Sequence, residues 1–387
     1  MSKIENIEVI PVRVGGSDVA DCDGTVDTVI VRLTDSEGRM GVGESDASPE
    51  AVKAFLETPT AHIWARHASE VLKGADPVEI ASLWERLYES TLYSGRRGLG
   101  IHALSAVDLA LHDLAGKQLE LPAYKLMGGA RRDRLRPYCT IYPGLPRGRS
   151  IRELLTITEK QFDKALSLGF TAVKMEVMYF DLVTDGELVE AIHEGRRMLG
   201  DDITMMLDFG YRWRDWHDAL WVLRKIDDCN IFFAEATLQH DDLLGHARLS
   251  QMSPIRICGA EFAATRWEVR EWIETGKVSV VQPDITRCGG LTEIRRIADM
   301  CELYGVQVIP HGWKTGILVA ASRHFQAACP NAPYFEFISP DVYESPLRRK
   351  LVSPEPTVED GYMALPTSPG LGIELDEEVL QTYRVRS

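Results

Sequence analysis

Polar residues recur at regular intervals through the C-terminal part of this 387-residue chain, and each one follows a short apolar run. From residue 208 onward they stand 23 to 27 residues apart. A buried strand, a crossover helix and two loops need about that length, so the spacing predicts a parallel α/β barrel. Barrels keep their chemistry at the C-terminal ends of the strands, which predicts an enzyme with one convergent site. The residues that end the runs are Glu176, Asp208, Glu235, Glu261, Asp284, His311 and Glu336.

The N-terminal third has a different pattern. Residues 4–14 and 26–33 have the composition of strands, and the DSEG stretch at 35–38 predicts a turn, so a short antiparallel meander is expected. Residues 49–129 then carry apolar side chains at helical spacing. The glycine- and aspartate-rich loop at 14–25 is expected to cover the active site as a lid, where Asp21 and Asp23 are candidates to contact substrate hydroxyls.

These changes of pattern divide the chain into three parts. We predict an α+β capping domain over residues 1–130 and a barrel over residues 131–350. Residues 351–387 are rich in proline and glycine at their start, and we expect them to pack back on the capping domain.

Composition excludes several classes of protein. A net charge of −15 without a basic stripe argues against a nucleic-acid partner. No apolar run reaches 18 residues, so a membrane span is not expected. The seven cysteines include no CxxC pair, which is typical of reduced thiols in a cytoplasmic protein.

Three acids at successive strand ends suggest a metal site. The carboxylates of Asp208, Glu235 and Glu261 would converge in a barrel, and three such groups cannot all stay ionised without a cation. Oxygen ligands without histidine or cysteine select a hard ion, and Mg²⁺ is the best fit. Any one of them alone is equally explained as a surface or turn acid, but three in consecutive units favour a metal site.

The next two strand ends carry a carboxylate and an imidazole. Asp284 beside His311 would fix the histidine tautomer and raise its basicity, as a proton-abstracting base requires. A single histidine after Ile-Pro is more often structural, and the pairing shifts the interpretation toward catalysis. Lys174 lies within an apolar run, which argues against a surface lysine.

The ordered set from Lys174 to Glu336, together with the segment SAVDLALHDLAGKQLELPAYKLMGG, resembles the mandelate-racemase branch of the enolase superfamily. The resemblance covers essentially the whole chain. It implies an α/β fold in which an α+β capping domain, completed by the C-terminal tail, covers a modified TIM barrel of the (β/α)7β type. It also implies Mg²⁺, a small-molecule carboxylate substrate whose α-proton is removed, and a dimer-based homo-oligomer, often an octamer.

The same resemblance implies roles for individual residues. Asp208, Glu235 and Glu261 would hold the metal, and His311, oriented by Asp284, would be the acid/base. Glu336 would be protonated and would donate a hydrogen bond to the substrate carboxylate. Lys174 matches the first lysine of the Lys-x-Lys pair of the family.

Three positions depart from the family pattern. Glu176 stands where the second lysine is expected, Gly210 where asparagine is common, and Ala236 where proline is usual. The first departure removes the usual base from one face of the substrate. Elimination of water needs His311 alone, so the expected function is dehydration of an acid sugar to a 2-keto-3-deoxy acid. The alternatives are a racemase or epimerase that uses Glu176 against His311, and a non-catalytic carboxylate-binding relative.

Polyhydroxy substrates also require hydrogen-bonding walls, and the strand-end loops offer candidates. Each is equally explained by ordinary loop packing. These candidate substrate-binding residues are Tyr142, Arg212, Trp213, His240, Trp313 and Lys314.

Overall fold

The computed structural model of the protein describes residues 2–15 and 23–386. Its chain begins with the predicted antiparallel meander of β1 (Ile4–Arg13), β2 (Asp27–Asp35) and β3 (Met40–Ser45). Of the predicted lid at 14–25, residues 16–22, and with them Asp21, lie outside the described residues.

Five helices follow the meander, as the helical periodicity predicts. They are α1 (Pro49–Glu57), α2 (Ala68–Leu72), α3 (Ile80–Thr91), α4 (Leu99–Leu119) and α5 (Ala123–Leu126). The long helix α4 lies directly against β3. A Cβ atom on Gly43 would stand only 2.1 Å from the Ala106 carbonyl oxygen, so glycine is required at this close approach.

A short antiparallel strand, β4 (Arg134–Leu135), leads into the barrel. Eight parallel strands form the barrel in the described part of the chain: β5 (Pro137–Ile141), β6 (Ala172–Glu176), β7 (Thr204–Asp208), β8 (Ile231–Glu235), β9 (Cys258–Gly259), β10 (Val280–Val281), β11 (Gln307–Val308) and β12 (Phe335–Phe337). Pairing of β12 with β5 joins the last strand to the first. A parallel bridge between Ala234 and Ile257 links the two parallel sheets.

Seven helices alternate with these strands, which confirms the (β/α)7β barrel. They are α6 (Ile151–Ser167), α7 (Asp185–Leu199), α8 (Trp216–Lys225), α9 (Leu243–Met252), α10 (Thr265–Glu274), α11 (Gly290–Tyr304) and α12 (Gly316–Ala328). Helices α6 and α7 both begin with a complete capping box, formed by Ser150 with Glu153 and by Thr184 with Glu187. Each box satisfies backbone donors that would otherwise be unpaired at the helix start.

Alternation along the strands separates two apolar layers. On β7, Met205 and Leu207 belong to the large core between strands and helices, whereas Met206 belongs to a small cluster with Tyr138 and Phe233 inside the barrel. Period-two alternation therefore fixes which side chains face the barrel axis. Continued to the strand ends, it directs polar side chains toward the mouth.

The C-terminal tail returns to the capping domain. It contains α13 (Pro346–Lys350), β13 (Val352–Ser353), β14 (Met363–Ala364), β15 (Glu374–Leu375) and α14 (Glu377–Tyr383). The Leu371 amide donates to Asp113 on α4, and the Val385 amide donates to the Pro11 carbonyl on β1. The fold with a cap completed by the tail is thus as expected, while the domain limits at 130 and 350 remain predictions.

Polar contacts join the cap to the barrel as well. The Trp84 indole donates to the Gly289 carbonyl at 2.8 Å, and the Gly289 amide donates to Ser105 at 2.8 Å. Trp84 of α3 and Ser105 of α4 therefore anchor both helices at the start of α11. Within the described residues, no helix has the length and apolar character needed to cross a membrane. The six described cysteines are buried free thiols.

Candidate active site

Strand register brings the predicted acids to one end of the barrel. Glu176 on β6 lies opposite Asp208 on β7, and Asp208 lies opposite Glu235 on β8. A cavity of about 210 Å³ opens at this end of the strands. The residues lining it include Glu176, Asp208, Glu261, His311, Tyr142, Trp313, Tyr211 and Asp23.

Lys174 is the buried cation beneath the cavity, with only 1% of its surface exposed. Its Nζ atom lies 2.7 Å from Glu235, 2.9 Å from Glu336 and 3.5 Å from Asp208. Burial by itself would lower the pKa of Lys174, but the surrounding carboxylates hold it well above its usual range. The ammonium group is therefore charged, and it neutralises part of the acidic cluster.

The carboxylates of Asp208, Glu235 and Glu261 have the chemistry of a hard-cation site. Glu235 Oε1 is buried without a hydrogen-bond partner. Burial raises the pKa of Glu235 to about 8; Lys174 opposes this rise, and the charge of Asp208 reinforces it. An oxygen-only set with an unpartnered carboxylate oxygen fits Mg²⁺.

In this structure, other side chains of the protein contact Asp208, Glu235 and Glu261. Lys174 bonds Asp208 and Glu235, while the Tyr211 hydroxyl donates to Glu261. Shared coordination of one ion would therefore require rotation of side chains away from these bonds. Among the described residues, the three side chains whose ligand atoms all lie within 4.8 Å of one another are a different set in the helical layer, His193, Asp228 and Cys229.

His311 and Asp284 form a buried pair beside the acids. His311 Nδ1 lies 2.7 Å from Asp284 Oδ2, and His311 Nε2 lies 3.2 Å from Glu261. Burial lowers the pKa of His311, but Glu261 and the hydrogen bond to Asp284 raise it to about 9. Because Asp284 holds Nδ1 and His311 lines the cavity, the Nε2 atom faces the space where an acid/base group is needed.

Glu176 lines the cavity where the family pattern has a second lysine. It is only 6% exposed. Burial and the neighbouring Asp208 raise the pKa of Glu176 well above its ordinary value, with Lys174 opposing the rise. The surroundings of the side chain therefore favour its protonated form.

The sequence predicts a protonated Glu336, whereas its surroundings in this structure favour the ionised form. Burial would raise the pKa of Glu336, but Lys174 and His311 lower it to about 2, so the group is ionised instead of protonated. It accepts hydrogen bonds from Thr140 and from the Gly312 amide, the latter at 2.7 Å. An ionised Glu336 anchors Lys174 and does not donate a hydrogen bond.

The structure brings only some of the candidate substrate-binding residues to the cavity. Tyr142 and Trp313 line it, and their rings meet edge to face at 5.6 Å. Lys314 lies behind the cavity, 2.7 Å from Asp46 of the cap, and it donates to the Gly24 carbonyl.

The other three candidates are absent from the cavity lining. Arg212 bonds Asp185 at 2.9 Å, and the Trp213 indole donates to the same carboxylate at 3.0 Å. These bonds hold both side chains outside the lining, so the substrate-binding role expected of them stays an untested prediction. His240 packs against the rings of Phe262 and Trp272, at 5.4 and 4.9 Å.

Two residues at the mouth of the barrel were missed from the sequence. Asp46, one residue beyond β3, pairs with Arg287, and the Arg287 Nη1 atom also donates to the Glu261 carbonyl at 3.4 Å. The position of Arg287 just after Asp284, in the same strand-end loop, was a usable signal. No local sequence signal pointed to Asp46, because its partner Arg287 is 241 residues away in the chain.

Comparison with known proteins identifies the family. Residues 17–128 match the N-terminal domain of the mandelate racemase / muconate lactonizing enzyme family, and residues 158–379 match the enolase C-terminal domain-like family. The chain belongs to this family, a branch of the enolase superfamily, and is therefore an enzyme.

Its relatives include enzymes named for acid sugars. Arabinonate dehydratase of Saccharolobus solfataricus is 31% identical, over 94% of this chain and 92% of that protein. L-Rhamnonate dehydratase of Saccharopolyspora erythraea is 31% identical, over 91% and 84%. D-Galactarolactone cycloisomerase of Agrobacterium fabrum is 28% identical, over 92% and 91%.

Solved structures share the whole fold. A protein provisionally named a racemase is 44% identical over 98% of both chains, with a TM-score of 0.92. A racemase from Streptomyces coelicolor A3(2) with bound magnesium is 26% identical over 99% of this chain and 100% of that chain, with a TM-score of 0.83.

Proposed function

We propose that this enzyme is a Mg²⁺-dependent dehydratase of an acid sugar, an aldonate or aldarate. It removes the proton α to the carboxylate, eliminates the β-hydroxyl and releases a 2-keto-3-deoxy sugar acid. The observation that carries the proposal is the His311–Asp284 pair facing a cavity in which the other candidate, Glu176, is a carboxylic acid and not a lysine. Relatives named as dehydratases of arabinonate and L-rhamnonate support the same reaction.

The substrate carboxylate would lie between the buried cation and the acids. Asp208, Glu235 and Glu261 would hold Mg²⁺, which supplies positive charge for the negative charge that develops on the substrate carboxylate. The Lys174 ammonium, fixed by Glu336, adds a second positive charge from below. An α-proton is very weakly acidic, so preorganised charge of this kind lowers the barrier to its removal.

His311 performs both proton transfers. Because Asp284 holds Nδ1, the Nε2 atom is the one that exchanges a proton with the substrate. Burial lowers the pKa of His311 and Glu261 raises it; coordination of Glu261 to Mg²⁺ would withdraw that second effect, so that a neutral imidazole could take the α-proton and break the C–H bond. The same imidazolium then returns its proton to the β-hydroxyl, and the C–O bond breaks with release of water. The resulting enol tautomerises to the 2-keto acid, so no oxidant or further reactant is needed.

A racemase or epimerase is the second candidate, and one observation favours it. Glu176 lines the cavity, and its raised pKa favours a protonated form that could deliver a proton to the substrate from a strand that does not neighbour the His311 strand. Racemisation needs acid/base groups on both faces of a planar intermediate, and these two residues would have to supply them.

The deciding experiment is a screen of acid sugars with Mg²⁺ that measures 2-keto acid formation, repeated in heavy water. A dehydratase gives 2-keto-3-deoxy acid with solvent deuterium at C3. Recovery of only inverted, undehydrated acid with deuterium at C2 would replace the proposal by the racemase. Slow activity that is unchanged in His311→Asn would instead favour a non-catalytic, carboxylate-binding protein. The homo-oligomer expected from the family remains a prediction.

A further inference from the structure

A second cavity of about 370 Å³ adjoins the catalytic cavity. The two cavities share Tyr142 and Asp23 in their linings. The second one is enclosed by the loop that leaves β5, and two arginines of this loop, Arg147 and Arg149, line it. A molecule that fills the catalytic cavity can therefore extend past Tyr142 toward two guanidinium groups.

Both arginines act on the residue that separates the two cavities. Burial, Glu176 and Asp23 raise the pKa of the Tyr142 phenol to about 12, and Arg147 and Arg149 oppose this rise. The positive charge of the loop therefore reaches Tyr142. Two guanidinium groups on one wall favour an anionic group in the second cavity.

The loop is built to hold this wall in place. The Gln161 side chain donates to the Tyr142 carbonyl at 2.8 Å, and Arg149 Nη1 donates to the Pro143 carbonyl at 3.1 Å. A guanidinium has five donors, so the bond to Pro143 leaves others for a ligand. Both arginine side chains are exposed to the cavity and solvent.

Asp23 adds one negative charge to the same lining as the two arginines. Its carboxylate accepts hydrogen bonds from Thr25 on one oxygen and from the Tyr343 hydroxyl on the other. The Trp313 indole fixes its backbone by donating to the Asp23 carbonyl at 2.8 Å. Asp23 is thus a bound acceptor that suits a hydroxyl in the middle of a sugar chain, with the arginines beyond it.

We propose that Arg147 and Arg149 bind the second carboxylate of the substrate, which makes the enzyme an aldarate dehydratase that selects diacids over monoacids. This inference rests on the proposed dehydratase function and specifies its substrate class. One carboxylate lies over Lys174 and the three metal-binding acids, the hydroxyls pass Tyr142, and the far carboxylate meets the arginines. Guanidinium groups match carboxylates through paired, charge-assisted hydrogen bonds.

The test compares pairs of substrates that differ only at C6, glucarate with gluconate and galactarate with galactonate. The wild-type enzyme is expected to have a kcat/KM at least about 10-fold higher for the diacid of the accepted pair. The double variant Arg147→Gln/Arg149→Gln should lose about 10- to 100-fold in kcat/KM on the diacid and less than about 3-fold on the monoacid. Arg152→Gln removes an exposed charge from the same segment outside the cavity and is the matched control.

Several outcomes would overturn the inference while leaving the dehydratase intact. These are a preference for the monoacid, equal losses on both substrates, or a preference for a 6-phosphorylated monoacid. If no acid sugar is dehydrated, the proposed function fails, and diacid binding is then measured alone by thermal shift with Mg²⁺. A shift that is larger for diacids in the wild type and is lost in the double variant supports the arginine site; equal shifts for diacids and monoacids contradict it.

Discussion

The Nδ1 atom of His311 lies 2.7 Å from Asp284 Oδ2, while Asp284 Oδ1 accepts two further hydrogen bonds from the amide and hydroxyl of Thr286, both at 2.6 Å. The carboxylate therefore cannot rotate without losing three bonds. It holds the imidazole in one orientation, with Nε2 toward the cavity. The separation of 27 residues between the two partners equals one βα unit, so neighbouring strands deliver the pair.

Substitution of this pair should reduce kcat more than it affects substrate binding. His311→Asn removes the acid/base group and is expected to lower kcat by about 10²- to 10⁴-fold. Asp284→Asn keeps the shape but loses the charge that orients the imidazole, and a smaller loss is expected. Steady-state kinetics measure both. A large rise in KM with unchanged kcat in His311→Asn would show that the histidine only binds substrate.

Loss of one of the acids proposed to bind the metal should weaken Mg²⁺ binding without unfolding the protein. Glu235→Gln removes one charge but keeps the size, and Lys174 retains its bond to Glu336. Mg²⁺ affinity, measured by titration calorimetry, should fall by more than the about 10- to 100-fold that loss of a residue supporting a metal ligand costs. Glu302→Gln, an exposed change on α11, is the control. Unchanged affinity in Glu235→Gln would place the ion elsewhere.

Glu176→Gln separates the two candidate reactions. Glutamine matches the buried Glu176 in size and, because burial raises the pKa of Glu176, it resembles the favoured protonated form. A dehydratase that relies on His311 alone should keep kcat within about 10-fold, since an acid/base group contributes about 10²- to 10⁴-fold. Kinetics with the accepted acid sugar test this. A loss of 10²-fold or more would identify Glu176 as a proton donor.

Much of the fold follows from the sequence because its signals are periodic. The spacing of strand ends predicts the number of βα units, and Asp208, Glu235 and Glu261 converge because consecutive parallel strands end at the same edge. The meander and α4 are equally visible in their strand and helix patterns. Regular spacing fixes these features before any long-range contact is known.

The features of the site that were not predicted from the sequence depend on long-range contacts, which leave no local sequence pattern. Burial raises the pKa of Glu336, and Lys174 on β6 and His311 just after β11 lower it. Arg212 lies in the loop after β7, where a substrate contact is expected. Its guanidinium instead donates a hydrogen bond to Asp185 of the preceding helix. Side-chain direction in loops depends on partners that are distant in the chain, so composition alone misplaces it.

Glu44 should make stability depend on pH at the junction of cap and barrel. It accepts hydrogen bonds from Thr28, Thr315 and the Leu318 amide at the start of α12. Burial nevertheless raises the pKa of Glu44 from 4.5 to about 7. The folded protein therefore holds a proton that the unfolded chain releases as pH rises from about 4.5 to about 7. Stability from this group is complete below that window and is lost across it.

Glu44→Gln removes this dependence, because the amide stays neutral at every pH and can still accept the bond from Leu318. The variant should be more stable than the wild type at pH 8 by about 2–3 kcal/mol, and equally or slightly less stable at pH 4.5. Urea unfolding at the two pH values measures the difference, with Glu302→Gln as the exposed control that leaves the pH slope unchanged. A Glu44→Gln variant that loses stability at pH 8 would mean that the ionised carboxylate stabilises the junction, and the assigned sign would be wrong.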